Sequence, residues 1–292
     1  MNKKIIAIIT TLAISGGVLM GTAYAGASQL SGYDAYKLAI KDTANLKNET
    51  AVLKVSVSDA GKDLVDVSSN IKVNKAANTM SNATTVKSST GTEDFSTFKQ
   101  AGKSISKSST SEVYNVKEEN NRKNLNKKAE VTNPEVAKSM EVVLDTLVGS
   151  MKNNVAVTDN EDGTKKVAVN LSQENIVPLV NAITSIALTK NNDEPMLNEK
   201  AGNLDVKNML PQLASGITVK SVVVTGDINK DNIITAQVAK IVVTGLDAKG
   251  VAHEVTINAA LSLSNINATT PNTVDLTGKQ VKTVTGHFQG RE

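Results

Sequence analysis

The stretch VAHEVTINAALSLSNI, residues 251–266, decides the fold class. Val255, Ile257, Ala259, Leu261 and Leu263 share one parity, while Glu254, Thr256, Asn258 and Ser262 share the other. A β-strand separates those two sets, because successive side chains leave it on opposite faces. Working backwards, residues 233–244 and 220–225 read as two more strands, joined by turns at 229–232 and 247–250. All are long beside the usual strand of about five or six residues. Long antiparallel meanders of this kind predict a strongly curved sheet or an open barrel.

The same alternation runs through the first half of the chain. Leu53, Val55 and Val57 alternate with Lys54, Ser56 and Ser58, and a turn follows at 59–62. Val65, Val67, Ile71 and Val73 then alternate with Asp66, Ser68, Asn70 and Lys72. That is a β-hairpin with one apolar and one wet face. Residues 80–87, 104–107 and 112–117 are rich in Ser and Thr and read as shallow or edge strands of the same sheet. Residues 155–157 and 167–171 flank a turn and read as a short hairpin.

Period 3.6 replaces period two in three places. Ser31 and Asp34 form a Ser-x-x-acid start, and Tyr33, Tyr36, Ile40 and Ala44 place a helix over residues 32–47. Asn133 and Pro134 open a second, with Val136, Met140, Val143, Leu144, Leu147 and Met151 as its stripe. A third begins near Ser172 and carries Ile176, Leu179, Val180, Ile183 and Ala187. Residues 189–215 read as a long connection. The predicted fold is α+β: a strongly curved antiparallel sheet or open half-barrel covered on its concave side by about three helices. No linker divides the chain, so residues 26–292 form one domain with a polar C-terminal tail.

The first 25 residues read as a leader. Lys3 and Lys4 precede an apolar run over 5–20, and Ala23-Tyr24-Ala25 supplies the small-x-small site. That core of about 15 residues falls short of the about 20 that a spanning helix needs. Cleavage after Ala25 is therefore expected, giving a secreted or cell-envelope protein with no transmembrane span after removal of the leader. The chain has no Cys, which excludes disulfides, thiol nucleophiles and a thioether lipid anchor.

Composition narrows the function further. Aromatic residues make up 2% of the chain, with no Trp, so stacking platforms for single-stranded nucleic acid are scarce. Net charge is +3, and Arg122 and Arg291 are the only arginines, so no nucleic-acid partner is expected. Asp227, Asn229 and Asp231 have the start of a Ca²⁺-loop spacing, but Asn232 replaces the glycine and Val238 the final carboxylate. A plain hairpin turn is the expectation there and at Asp159, Glu161 and Asp162. Ser69 with Lys72, and Ser104 with Lys107, match Ser-x-x-Lys, but on strands the two side chains would point to opposite faces. Gly102-Lys103-Ser104 lacks the first glycine of a phosphate loop. His253 shares the parity of Val255 and reads as a structural histidine. No catalytic residue, cofactor or metal is expected.

The order of elements resembles the LolA/LprG-type lipoprotein-carrier superfamily from Tyr33 to about Asn267. Two local features carry the resemblance: the hairpin DGTKKVAVNL at 162–171 and the turn GDINKD at 226–231. It implies an exported half-open antiparallel barrel with helices over its concave side. The expected function is an exported, non-catalytic module holding an acyl chain or other hydrophobic ligand. Met140, Leu144, Leu147, Ile183 and Ile186 would line the groove from the helices, with Val255, Ile257 and Leu261 opposite. The same residues would equally build a plain core. The alternative is a structural or interaction protein of the cell surface, fully packed, whose partner is another envelope component.

Overall fold

The computed structural model describes residues 32–118, 154–172, 176 and 210–284. One helix, α1 (Gly32–Ala44), leads into six strands: β1 (Asn48–Asp59), β2 (Lys62–Asn74), β3 (Thr79–Ser88), β4 (Gly91–Gln100), β5 (Lys103–Ser108) and β6 (Val113–Glu118). A second set follows: β7 (Val155–Asp159), β8 (Lys165–Ser172), β9 (Leu213–Ile228), β10 (Ile234–Asp247) and β11 (Ala252–Ser264). The short β12 (Gln280–Thr283) comes last. All lie in one sheet of order β12-β6-β5-β4-β3-β2-β1-β11-β10-β9-β8-β7. Two meanders are thus joined along a single seam, β1 against β11.

Local chemistry sets the turns. Asp59-Ala60-Gly61-Lys62 joins β1 to β2, with Ala60 at φ 46° and Gly61 at φ 80°. Two successive positive φ angles fit the right-handed twist of a two-residue hairpin, and glycine adopts one of them without strain. The turns at 229–232 and 247–250 are built alike. Asn229 Oδ1 accepts from the amides of Asp231 and Ile233 at 3.0 and 2.9 Å. Asp247 Oδ1 accepts from those of Lys249 and Val251 at 2.8 Å each. Short polar side chains here replace the missing ladder partners.

The register assigns every side chain to a face. On the face that meets α1, here called inner, Leu53, Val55 and Val57 stand opposite Leu261, Ala259 and Ile257. Val57 and Val55 also face Val65 and Val67, while Ile257 faces Ile241. The core continues through Val222, Leu171, Val169 and Val167 to Val155. α1 covers that end, packing on β7 and β10. Gly32 is needed there: a Cβ would lie 2.8 Å from the carbonyl oxygen of Val155 on the edge strand. At the other end of α1, Thr43 Oγ1 accepts from the Ile234 amide at 2.8 Å and donates to the Ala39 carbonyl at 2.6 Å.

The opposite, outer face has its own cover. After β11 the chain doubles back, and residues 265–279 cross β1 to β4 as a strap. Asn48 Oδ1 accepts from the Thr269 amide at 2.6 Å, and Asn48 Nδ2 donates to the Thr269 carbonyl at 2.9 Å. Ser81 Oγ accepts from the Asn272 amide at 2.9 Å. Gln100 exchanges hydrogen bonds with the Val274 backbone at 2.8 and 2.9 Å. The strap delivers β12 beside β6 in parallel pairing.

These observations correct the predicted fold class. The structure is one large open sheet with a parallel pair at one edge, not an antiparallel half-barrel covered by about three helices. Among the described residues α1 is the one helix of any length. At 13 residues it spans about 20 Å, whereas twelve strands spread over roughly 50 Å. Its stripe can cover only one end. The helices read over 133–151 and from 172 onward lie outside the described residues, except that Ile176 is helical and buried. The connection expected over 189–215 ends earlier, because β9 begins at Leu213.

Candidate functional site

Val255, Ile257 and Leu261 sit together on the inner face of β11, as the parity of residues 251–266 requires. Their surroundings differ. Ile257 is 1% exposed between Val57 and Ile241, and Val255 is buried beside Val243. Leu261 is half-buried, as are Leu263, Val67, Ile71 and Val73. On β11 the inner face is therefore closed at Val255 and Ile257 and more accessible at Leu261 and Leu263, while on β1 the half-buried Val55 lies between buried Leu53 and Val57. Met140, Leu144, Leu147, Ile183 and Ile186, expected opposite, lie outside the described residues.

Polar groups punctuate this face at both ends. At the closed end His253 Nδ1 meets Asp59 Oδ2 at 2.7 Å, and its Nε2 lies 3.8 Å from Asp247 Oδ2. Asp59 Oδ1 also accepts from the Glu254 amide at 3.1 Å. The hydrogen bond to Asp59 outweighs burial and lifts the histidine pKa above its ordinary value, with the two carboxylates adding charge attraction. The cluster ties the β1–β2 turn to the β10–β11 turn.

That pairing has a pH consequence. The folded-state pKa of His253 exceeds its ordinary value of 6.5, so its contribution is complete below that pH and is lost as pH rises through the raised value. Denaturant titrations of wild type and His253→Gln should therefore differ most below about pH 6.5 and converge only once the pH has passed the raised folded-state value. A constant difference across that range would show that the ion pair contributes nothing.

At the Asn48 end of β1, Glu49 occupies the same parity as Leu53 and Val57, opposite Val73. Its Oε2 is buried and has no hydrogen-bond partner among the described residues. Burial raises the Glu49 carboxyl above its ordinary range, against the pull of the Lys75 ammonium. This residue was missed in the sequence, although a carboxylate on an apolar parity was the available signal.

On α1, Tyr36 donates its hydroxyl to Gln237 Oε1 at 3.0 Å, and burial pushes its pKa up to about 12. The Ser-x-x-Lys pairs are split by the sheet, as expected. Ser69 faces inward to the Thr84 hydroxyl at 2.8 Å, and Lys72 faces outward to Asn272 at 3.0 Å. In the turn read as calcium-like, Asn229 spends its amide oxygen on backbone amides, and Asp227 pairs with Lys166 at 2.8 Å. A shallow depression of about 300 Å³ lies on the outer face between Ala156, Ala168, Thr225 and Val238. The Lys166–Asp227 pair crossing it is exposed, so no buried polar group converges on that hollow.

No protein-family model and no curated protein matches this chain. Solved structures give distant likenesses. One is an S-type phycobiliprotein lyase, CPES, from Guillardia theta, at 7% identity and TM-score 0.19, over 74% of this chain and 86% of that one. Another is a β-barrel-like protein of a domain of unknown function from Brucella abortus, at 8% identity and TM-score 0.17, over 75% of this chain and 98% of that one. Likeness at this level carries no assignment, and the resemblance to LolA/LprG carriers gains no family-model support.

Proposed function

We propose that this protein is an exported, non-catalytic binding module that holds an acyl chain or another hydrophobic ligand against the inner face of its sheet. The observation that supports this is the apolar inner face of β11 and its neighbours, where burial falls from Ile257 to Leu261 and Leu263. Ile257 and Val57 anchor it in the core, while Leu261, Leu263, Ile71 and Val73 remain half-buried. Export rests on the leader at residues 1–25.

Native mass spectrometry of the protein purified gently from its producing cells tests both parts. The expected polypeptide begins at Gly26 and carries a discrete extra mass that vanishes on delipidation. An intact leader would overturn cleavage after Ala25 and leave a retained membrane anchor in its place. A bare polypeptide that also refuses added lipids would remove the carrier reading, leaving a packed surface or interaction module.

A further inference from the structure

Glu49 is out of place on this face. Its neighbours by register are Val73 directly across, Ile71 diagonally across, and Ala51 along the strand, with Leu263 beyond. A buried carboxylate oxygen without a donor is costly, and native structures rarely retain one without a use. The nearest cation does not resolve it. Lys75 influences Glu49 through space, but its ammonium donates to the Leu46 carbonyl.

We infer that Glu49 is the head-group site of the proposed pocket and selects an amphiphile whose head donates a hydrogen bond, an ammonium or a hydroxyl. This rests on the binding function proposed above. Three observations fix the orientation. The orphaned acceptor lies beside the half-buried apolar residues, where a chain would enter. The opposite end of the strip carries Asp59 and His253, paired at 2.7 Å, with the remaining ring nitrogen of His253 buried and turned to Asp247 at 3.8 Å. Between the two ends, the half-buried inner-face residues Val67, Ile71 and Val73 of β2 extend for about 20 Å at about 3.3 Å per residue. One acyl chain fills half of a hydrocarbon core about 30 Å thick, so the strip accommodates a single chain lying along β2. A carboxylate or phosphate head would instead confront Glu49 with a second acceptor and is disfavoured. The raised pKa of Glu49 agrees with this, since a ligand cation or donor would relieve the same burial.

The test is a titration of the mature protein with dodecylamine, 1-dodecanol and dodecanoate at neutral pH, below their aggregation limits. Dodecylamine and dodecanol should each bind at least about tenfold more tightly than dodecanoate, a typical margin for a charge-assisted hydrogen bond. Glu49→Gln should bring the amine and the carboxylate to within about threefold of each other. Any other ranking in wild type overturns the inference, and so does an unchanged ranking in Glu49→Gln. Equal binding of all three probes would do so while leaving the hydrophobic-ligand function intact. Binding of none would remove both. Should Glu49→Gln fail to fold by circular dichroism, the wild-type series alone decides.

Discussion

Replacing Ile257 by alanine is expected to destabilise the protein by about 2–5 kcal/mol, the cost of deleting a fully buried Ile side chain. The residue is 1% exposed at the middle of the sheet. Val57 stands directly across from it on one side and Ile241 on the other. Its neighbour along the strand, Ala259, is too small to move into the vacated space. The loss falls on the β1–β11 ladder, which among the described residues joins the two meanders. It should appear in urea denaturation as a lower midpoint with an unchanged slope. Val238→Ala is the control. That side chain is 51% exposed on the outer face, so its removal should change stability by no more than about 0.5 kcal/mol. Equal effects would show that the inner face is not the core.

Gly226→Val should cost about 1–3 kcal/mol through overpacking. A Cβ at Gly226 would approach the Ala236 carbonyl oxygen to 2.9 Å and Val167 Cγ1 to 3.1 Å. The first contact is backbone of the partner strand, next to the register shift at Ile234 and Ala236. It can be relieved only by moving β9 away from β10. Gly226 also pairs with Gln237, the acceptor of the Tyr36 hydroxyl. The strain should therefore reach α1, and hydrogen exchange should show faster exchange of the α1 amides than of the β1 amides. Uniform acceleration across both would mean global unfolding instead.

The seam and its flanking hairpins were legible because their residues obey strict alternation. Leu53, Val55 and Val57, and Val255, Ile257 and Ala259, each show one apolar parity, and the register confirms both sets face α1's side. β4 was not legible for the opposite reason. Its two large residues, Phe95 and Phe98, lie on opposite faces, so no parity stands out. The strap has no period at all, being held by side-chain amides and hydroxyls of β1, β3 and β4. Its path follows from those partners and not from its own sequence. The extent of helix was overestimated because a 3.6-residue stripe shows what could be buried, not how much sheet awaits cover. At the site, Val255, Ile257 and Leu261 were readable from parity. The pairing of His253 with Asp59 was not, because sequence gives no hint of which turn lies beside which.

The placement of the seam also dictates an order of assembly. Ser56 and Asn258 face each other across 202 residues, whereas β1 to β6 are linked by tight hairpins that close quickly. The first meander can therefore form while β11 is still to come, leaving β1 as a bare edge over the ten residues Thr50 to Asp59. Such an edge invites pairing with a neighbouring chain until its own partner arrives. Closing so long a loop makes the β1–β11 union the slow step of folding. Conditions that prolong it, such as crowded refolding at high concentration, should yield aggregates joined through β1.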